Sequence, residues 1–420
     1  MSADRAGVDS RTARSDWKVN PQMRVKSLSL AAVFVLVGAC GSPSAGGGAK
    51  DLSPNQVPDN PKKAVTLNII DVAGNLQLTK GMIDEFVKTH PKVIKKVTYT
   101  TATAPELPGK IKAQQSAGQV QIGLVLTGTD GLAAGISQKL WVKTDDYASR
   151  MGNANYLPPA AKMQELAQGH GVEVVYYPSG PLIEYNPKTV TKPPATAQEL
   201  PAWAKAHPKK FQYARPANSG PGRTLLMGLP YILGDADPKD PKAGWTKTWA
   251  YLQELSKYVD YYPSKTSETM ANLANGSADI IASTTGWDIN PRALGQVPAG
   301  DKVAYLKGMH WVTDAQYAVV PTGVSADVLS ADLQLMKWML TPQQQAKAYD
   351  TGYFYPGPAV NGVTVQMAPQ KSQQVIQQFG RPEYDQWIAK FPKETSLPAE
   401  QQVAAFDQWD RTVGSGKVRK

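Results

Sequence analysis

Short β-rich runs alternate with longer helical patterns through most of this chain, and that alternation limits the possible folds more than any other feature. Residues 65–71 (VTLNIID) predict a strand, and residues 78–90 (LTKGMIDEFVKTH) predict an amphipathic helix with Met82, Ile83, Phe86 and Val87 on one face. Residues 122–126 (IGLVL) predict a buried strand that leads through Thr127-Gly128-Thr129-Asp130-Gly131 into a further helix. The pattern then restarts, with a strand over 211–214, a turn in RPANSGPG, helices over 224–233 and 245–259, a strand over 279–283 and a loop over 284–290. Strand, polar turn, helix and strand in that order indicate an α/β fold with layers around a mixed, mainly parallel sheet. No short-period repeat is present, which excludes a solenoid. A body of about 360 residues exceeds what one hydrophobic core comfortably serves and predicts two lobes.

The single cysteine, Cys40, lies between an apolar run at 28–37 and the flexible stretch GSPSAGGG. Upstream stand Arg24 and Lys26, and Gly38 and Ala39 directly precede the cysteine. A basic start, a short apolar run and small residues at the cut are the order of a secretory signal. Such a run is too short to cross a hydrocarbon core of ~30 Å. Val37-Gly38-Ala39-Cys40 resembles the bacterial lipobox, which implies that Cys40 becomes the first mature residue and carries the lipid. Residues 1–39 then form the signal peptide, with Met23 as an alternative start, and residues 40–63 form a flexible, lipid-anchored linker.

Loss of residues 1–39 removes six basic and three acidic side chains, so the formal charge of +10 falls to +7. Lys and Arg are dispersed, with no run that reads as a nucleic-acid stripe, and no nucleic-acid partner is expected. With the sulfur acylated, disulfides, cysteine-based zinc sites and thiol nucleophiles are excluded. No cofactor is expected.

Two α/β units invite a ligand between them, beyond the carboxyl ends of their strands. Two segments read as crossovers between lobes: 172–187 (VEVVYYPSGPLIEYNP) and 310–321 (HWVTDAQYAVVP). Paired extended crossovers permit a hinge. Together with the lipobox, the segments IKAQQSAGQVQIGLVLTGTDGLAAGISQKLW, LIEYNPKTVTKPPATAQEL, LANGSADIIASTTGWD and VVPTGVSADVLSADLQLMKWMLTPQQQAKAYDTGYFYP, in this order, resemble the extracellular solute-binding proteins of ABC importers. The nearest likeness is to the branch of polyamine, ferric-iron and thiamine binders. It covers roughly residues 65–420 and implies a two-lobed, type II periplasmic-binding-protein fold that closes on its ligand. It also implies delivery of a small polar solute to a membrane permease driven by an ATPase, from the cell envelope, with a monomer expected. The boundaries expected are 64–179 for lobe 1, 180–312 for lobe 2, 313–370 for the return to lobe 1, and 371–420 for a helical segment bracing a lobe.

Loops after predicted strands are the ligand-site candidates. Gly74 and Asn75 form the first. In the second, Thr127, Gly128, Thr129 and Asp130 offer oxygens and a helix start. The third is RPANSGPGRT, where Arg215, Asn218 and Ser219 precede a helix and suit an anionic group. At the crossover, Tyr177 and Ser179 face the hinge. Trp287 beside Asp288 combines an aromatic face with a carboxylate, as an amine would require. Trp311, Asp314 and Tyr317 repeat that theme. Plain capping and core packing explain the same residues equally well. The aromatic and acid pairs favour a cationic amine or zwitterion, the helix starts admit an anion, and the sequence leaves both open.

Tyr176-Tyr177, Tyr261-Tyr262, and Tyr353 with Tyr355 pose a ferric-iron alternative, since phenolate oxygen is a hard donor. His90, His170, His207 and His310 show no metal spacing. An exported hydrolase on the same scaffold is the competing class. No Walker A loop, HExxH, GxSxG or Ser/His/Asp set supports it. Cys40→Ser is expected to leave the precursor unprocessed or release a binding-competent protein from membranes, as fractionation and intact-mass measurement would show.

Overall fold

The computed structural model describes residues 51–419 apart from Ala73, so the signal-like segment and Cys40 lie outside the described residues. Among the described residues ten strands form two sheets: β1 (Val65–Asp71), β2 (Ile94–Thr101), β3 (Leu124–Gly128), β4 (Val172–Gly180), β5 (Leu182–Tyr185), β6 (Phe211–Gln212), β7 (Ile280–Ser283), β8 (Lys302–Ala304), β9 (Trp311–Val319) and β10 (Lys393–Glu394). The larger sheet holds β1 to β4, β9 and β10, and the smaller holds β5 to β8. Both belong to one compact unit.

In the larger sheet β1 lies between β2 and β3 and is parallel to both. The long strand β9 runs antiparallel to β3 and β4, and its first residues pair in parallel with β10. Successive side chains of a strand point to opposite faces, and here both faces are covered. Leu67, Ile69, Leu124 and Leu126 enter one core, while Ile70, Val72 and Val125 enter the other. This explains why β3 reads as an unbroken apolar run instead of an alternating one.

The smaller sheet is ordered β6-β7-β5-β8, and two of its three ladders are antiparallel. It is therefore less parallel than the expected pattern, because β5 enters directly from β4 without a helical crossover. Ile280 and Ala282 of β7 pack with Phe211, Leu225, Leu229 and Trp245 on one side, and Ile281 packs with Met270 and Leu273 on the other.

The chain passes between the sheets where expected from 172–187: β4 ends at Gly180 and β5 starts at Leu182. Segment 310–321 is not an extended link but mostly β9 itself, fully integrated into the larger sheet from Trp311. The crossover lies upstream, between β8 and β9. The expected linker 40–63 also needs correction. Val57 is buried in the larger core, Tyr147 donates its hydroxyl to the Leu52 carbonyl, and Arg150 donates to the carbonyls of Val57 (3.2 Å) and Pro58 (2.7 Å). From about Leu52 the chain is therefore packed against the body.

The C-terminal segment does more than brace one lobe. β10 extends the larger sheet, and helix Ala399–Thr412 buries Ala405, Phe406 and Trp409 in the smaller lobe's core. Trp409 meets Tyr262 edge-on at 4.9 Å between ring centroids and donates Nε1–H to the Tyr213 hydroxyl at 3.1 Å. The same helix lies against helix Thr129–Ser137 of the larger lobe. No described helix is long and apolar enough to cross a membrane.

Candidate functional site: the cleft between the sheets

Helix Gly220–Leu233 opens with Ser219, whose Oγ accepts the Gly222 amide (3.2 Å) as an N-cap. One turn on, Arg223 projects from this smaller-lobe helix into the cleft and is only 2 % exposed. Its Nη1 reaches Asp130 Oδ2 at 2.8 Å and its Nη2 reaches Asp314 Oδ2 at 2.5 Å. Asp130 lies in the first turn of helix Thr129–Ser137 and Asp314 on β9, so one guanidinium bonds two carboxylates of the opposite lobe.

The extra negative charge is absorbed by hydrogen bonds. Asp314 Oδ2 accepts the Tyr177 hydroxyl (2.8 Å), and its Oδ1 accepts the Thr129 hydroxyl and the Ala315 amide, each at 3.0 Å. Asp130 Oδ1 accepts the Gly131 amide at 2.8 Å, at a helix start where the macrodipole favours an anion. Burial alone would lower the Arg223 pKa, but the charges of Asp314 and Asp130 outweigh it and raise it above the ordinary range. Behind this group, burial together with the charge of Asp314 pushes the Glu173 carboxyl well above the ordinary carboxylate range.

Beside Arg223 lies a cavity of about 260 Å³ lined by both lobes. Aromatic rings form one wall. Tyr177 stacks on Phe354 at 4.7 Å, Phe354 on Tyr353 at 4.2 Å, and Tyr353 meets Trp287 edge-on at 5.3 Å. Gly286 makes this wall possible, since a Cβ there would come within 2.5 Å of the Phe354 ring. Gly74 likewise approaches the Tyr353 hydroxyl and has φ +75°. The polar side is built by Asn218, Ser219, Lys265, Ser267 and Gln316. A wider groove of about 530 Å³, with Phe86, His90 and Trp338 in its lining, belongs to the larger lobe alone. Lobe closure could not enclose a ligand there.

Of the residues expected at the site, Gly74, Asp130, Tyr177, Asn218, Ser219 and Trp287 line the cavity. Thr129 and Asp314 stand behind it as supports for Arg223. Gly128 ends β3 as the residue before helix Thr129–Ser137, and Thr127 is buried under that helix. Asn75 turns inward, with its Oδ1 accepting the Thr79 hydroxyl at 3.1 Å. Ser179 is buried at the crossover, where its carbonyl accepts the Thr285 amide at 2.9 Å.

Four assignments are overturned by their partners. Arg215 is held by Asp410, its Nε at 2.8 Å from Oδ1, and anchors the C-terminal helix. Asp288 is fully buried and accepts Arg292 Nε (2.8 Å), Arg381 Nε (2.5 Å) and Nη2 (2.6 Å), and the Tyr384 hydroxyl (2.6 Å). Burial would raise its pKa, but the guanidiniums of Arg381 and Arg292 pull it below the ordinary value. Asp288 thus faces the C-terminal segment, and only its neighbour Trp287 faces the cleft. Trp311 is core, donating Nε1–H to the Trp387 carbonyl at 3.1 Å. Tyr317 points to the other face of β9 and donates to the Met163 carbonyl at 2.7 Å. Arg223, Gln316, Lys265 and Phe354 were missed. Arg223 had a signal, since it follows the N-cap Ser219 by four residues and so shares its helix face.

The model for bacterial extracellular solute-binding proteins matches residues 81–375. No curated protein sequence matches the chain. Among solved structures, MotA of A. tumefaciens B6, in complex with glucopine, is 16% identical with a TM-score of 0.58, covering 83% of this chain and 100% of its own. A periplasmic thiamin-binding protein is 16% identical with a TM-score of 0.57, covering 86% and 99%. The spermidine/putrescine protein PotD of Streptococcus pneumoniae is 14% identical with a TM-score of 0.53, covering 83% and 100%.

Two measurements test the site. Arg223→Met strands two buried carboxylates and is expected to cost about 3–5 kcal/mol in denaturant unfolding, the usual penalty for breaking a buried pair on one side. Asp71 closes β1 near the cavity, and burial raises its pKa from 3.8 to about 6 against the amides of Leu76 and Asn75. Its folded value lies above the unfolded one, so its contribution to stability is present below pH 3.8 and lost as pH rises through about 6. Asp71→Asn is expected to stabilise the fold by about 2–3 kcal/mol above neutral pH, with the difference vanishing in acid. The family model's long match, over a two-lobed architecture, establishes that this chain belongs to the bacterial extracellular solute-binding proteins.

Proposed function

We propose that this chain is a lipid-anchored receptor that encloses a compact polar solute in the cleft beside Arg223 and presents it to an ABC permease. The observation that carries this reading is the cavity lined from both lobes, with the lobes joined across it by buried ion pairs. Affinity in such a protein comes from contacts made only when the lobes close, so both must contribute. At about 260 Å³ the cavity falls just under the range of about 300–1,000 Å³ typical of drug-sized pockets, which favours a small solute. Anchoring rests on the lipobox-like Val37-Gly38-Ala39-Cys40. Lobe 1 is read as residues 64–179 with the return over 313–370, and lobe 2 as 180–312, refined at the second crossover by the start of β9 at Trp311.

Ferric iron has less support. The Tyr177 hydroxyl is committed to Asp314, and Tyr262 packs against Trp409 in the smaller lobe's core. Among the described residues no group of three or more His, Cys, Asp or Glu is placed to hold a metal.

A thermal-shift screen over polyamines, thiamine-like cations, phosphonates and sulfonates identifies a binder, since ligand at a hundred times its Kd stabilises by about 2.7 kcal/mol. Trp287→Ala is then expected to weaken that binder by about 1–3 kcal/mol in calorimetric titration, the usual loss for a buried aromatic contact. Unchanged affinity in a folded variant would remove the cleft from the reading.

A further inference from the structure

The larger sheet has two unlike ends. β1, β2 and β3 run parallel, and residues just after their carboxyl ends, Gly74, Thr103 and Asp130, line the cleft cavity. Their amino ends therefore form the opposite pole, about 23 Å away along the seven residues of β1. Lys62 and Lys63 stand just before β1, Lys92 stands just before β2, and Lys95 and Lys96 are among its first residues. All five are exposed, and none forms an ion pair among the described residues. The acids nearest in sequence already have cations: Asp84 pairs with Lys80, Glu85 with Lys347, and Asp59 with Arg150 at 3.8 Å. One acid remains, Asp327, whose Oδ1 accepts the Lys62 amide at 2.9 Å.

Strand pairing gathers these lysines into one patch. Val65 pairs with Ile94 and Thr66 with Lys96, and the register shift between them leaves Lys95 without a partner on β1. Lysines on an edge strand such as β2 also discourage pairing with another sheet. That need does not arise for Lys62, Lys63 and Lys92, which lie outside the ladder. The chain from Cys40 also joins the body at this pole. Val57 and Pro61 are buried, the Asp59 carbonyl accepts Ser330 Oγ (3.2 Å) and Gln334 Nε2 (3.0 Å), and Lys62 follows at once. Cys40 stands eleven residues before Asp51 in the sequence, a length that spans at most about 40 Å.

From this juxtaposition we infer that the amino-end pole of the larger lobe docks on an anionic lipid surface, the membrane that holds the anchor. The inference rests on the lipid-anchored reading, which brings that surface within reach of the pole. All five cations are lysines, compact hydrated point charges that suit the diffuse field of a charged surface better than bidentate recognition of one partner group. Each lysine brought to such a surface strengthens partitioning about fivefold, and the attraction fades within a Debye length. Docked this way, the cleft stands about 23 Å or more from the headgroups and stays open to solute.

The test is vesicle co-sedimentation of the mature chain, residues 40–420, carrying Cys40→Ser so that no acyl chain contributes. Binding at low salt is expected with phosphatidylglycerol/phosphatidylcholine vesicles and not with phosphatidylcholine alone, and is expected to vanish near 1 M salt, where the screening length is about 3 Å. Lys62→Gln with Lys63→Gln is expected to weaken partitioning about twentyfold, and Lys92→Gln, Lys95→Gln and Lys96→Gln together about a hundredfold, with melting temperatures near wild type. The same charge change on the smaller lobe, Lys188→Gln, Lys192→Gln and Lys205→Gln together, is expected to alter it by less than about threefold. No preference for anionic vesicles, or equal loss from the smaller-lobe set, would overturn the docking surface. So would binding of heparin as tight as that of the vesicles and dependent on the same lysines, since the surface would then serve a soluble polyanion. The intact mass of wild-type protein extracted from membranes reports acylation separately: an unmodified Cys40 would remove the anchor while the vesicle result still decided the surface.

Discussion

One buried guanidinium organises the cleft. Arg223 comes from a helix rooted in the smaller lobe and meets carboxylates from a helix and a strand of the larger, so its two bonds fix the distance and angle between the lobes. Such an arrangement is costly to desolvate, and it holds because further hydrogen bonds satisfy the carboxylates, although Arg223 Nε itself has no partner. Here Thr129, Tyr177 and two backbone amides complete it. The aromatic wall and the cavity take their position from this junction, because Tyr177 belongs to both.

The same residue types do different work a few residues apart. Trp287 faces the cleft, and Asp288, next in sequence, faces away into a cluster with Arg292, Arg381 and Tyr384. That cluster attaches the C-terminal helices to the loop that carries Trp287. Arg215 and Asp410 make a second such attachment. The C-terminal segment, none of whose residues lines the cavity, thereby holds both the smaller-lobe core and the approach to the cleft. The helix Ala399–Thr412 also reaches helix Thr129–Ser137, whose first turn carries Asp130.

Similarity to solved structures at 13–18% identity carries the fold and not the ligand. The reason is physical: two cores and their strand order depend on many interchangeable apolar residues, whereas recognition depends on a few polar groups whose replacement leaves the fold intact. The thiamin-binding protein, PotD and MotA share this architecture, so the cleft's own donors and acceptors have to decide its chemistry.

Periodicity and order were legible from the residues alone. Alternating apolar patterns located β1, β3, β7 and the helices between them, and the segment order indicated two lobes, since burial of apolar faces is a local and repeated demand. The loops nearest the cleft were also legible, because strand ends and helix starts carry Gly, Ser and Thr for backbone reasons. What the sequence could not decide was which side chains at those loops remain free. Asp288, Arg215 and Asp314 look like ligand groups until their partners are known, and those partners lie 93, 195 and 91 positions away in the chain. Pairing at such separation is set by how the lobes pack, and so only the tertiary structure showed that the acids of the cleft are already bonded by Arg223.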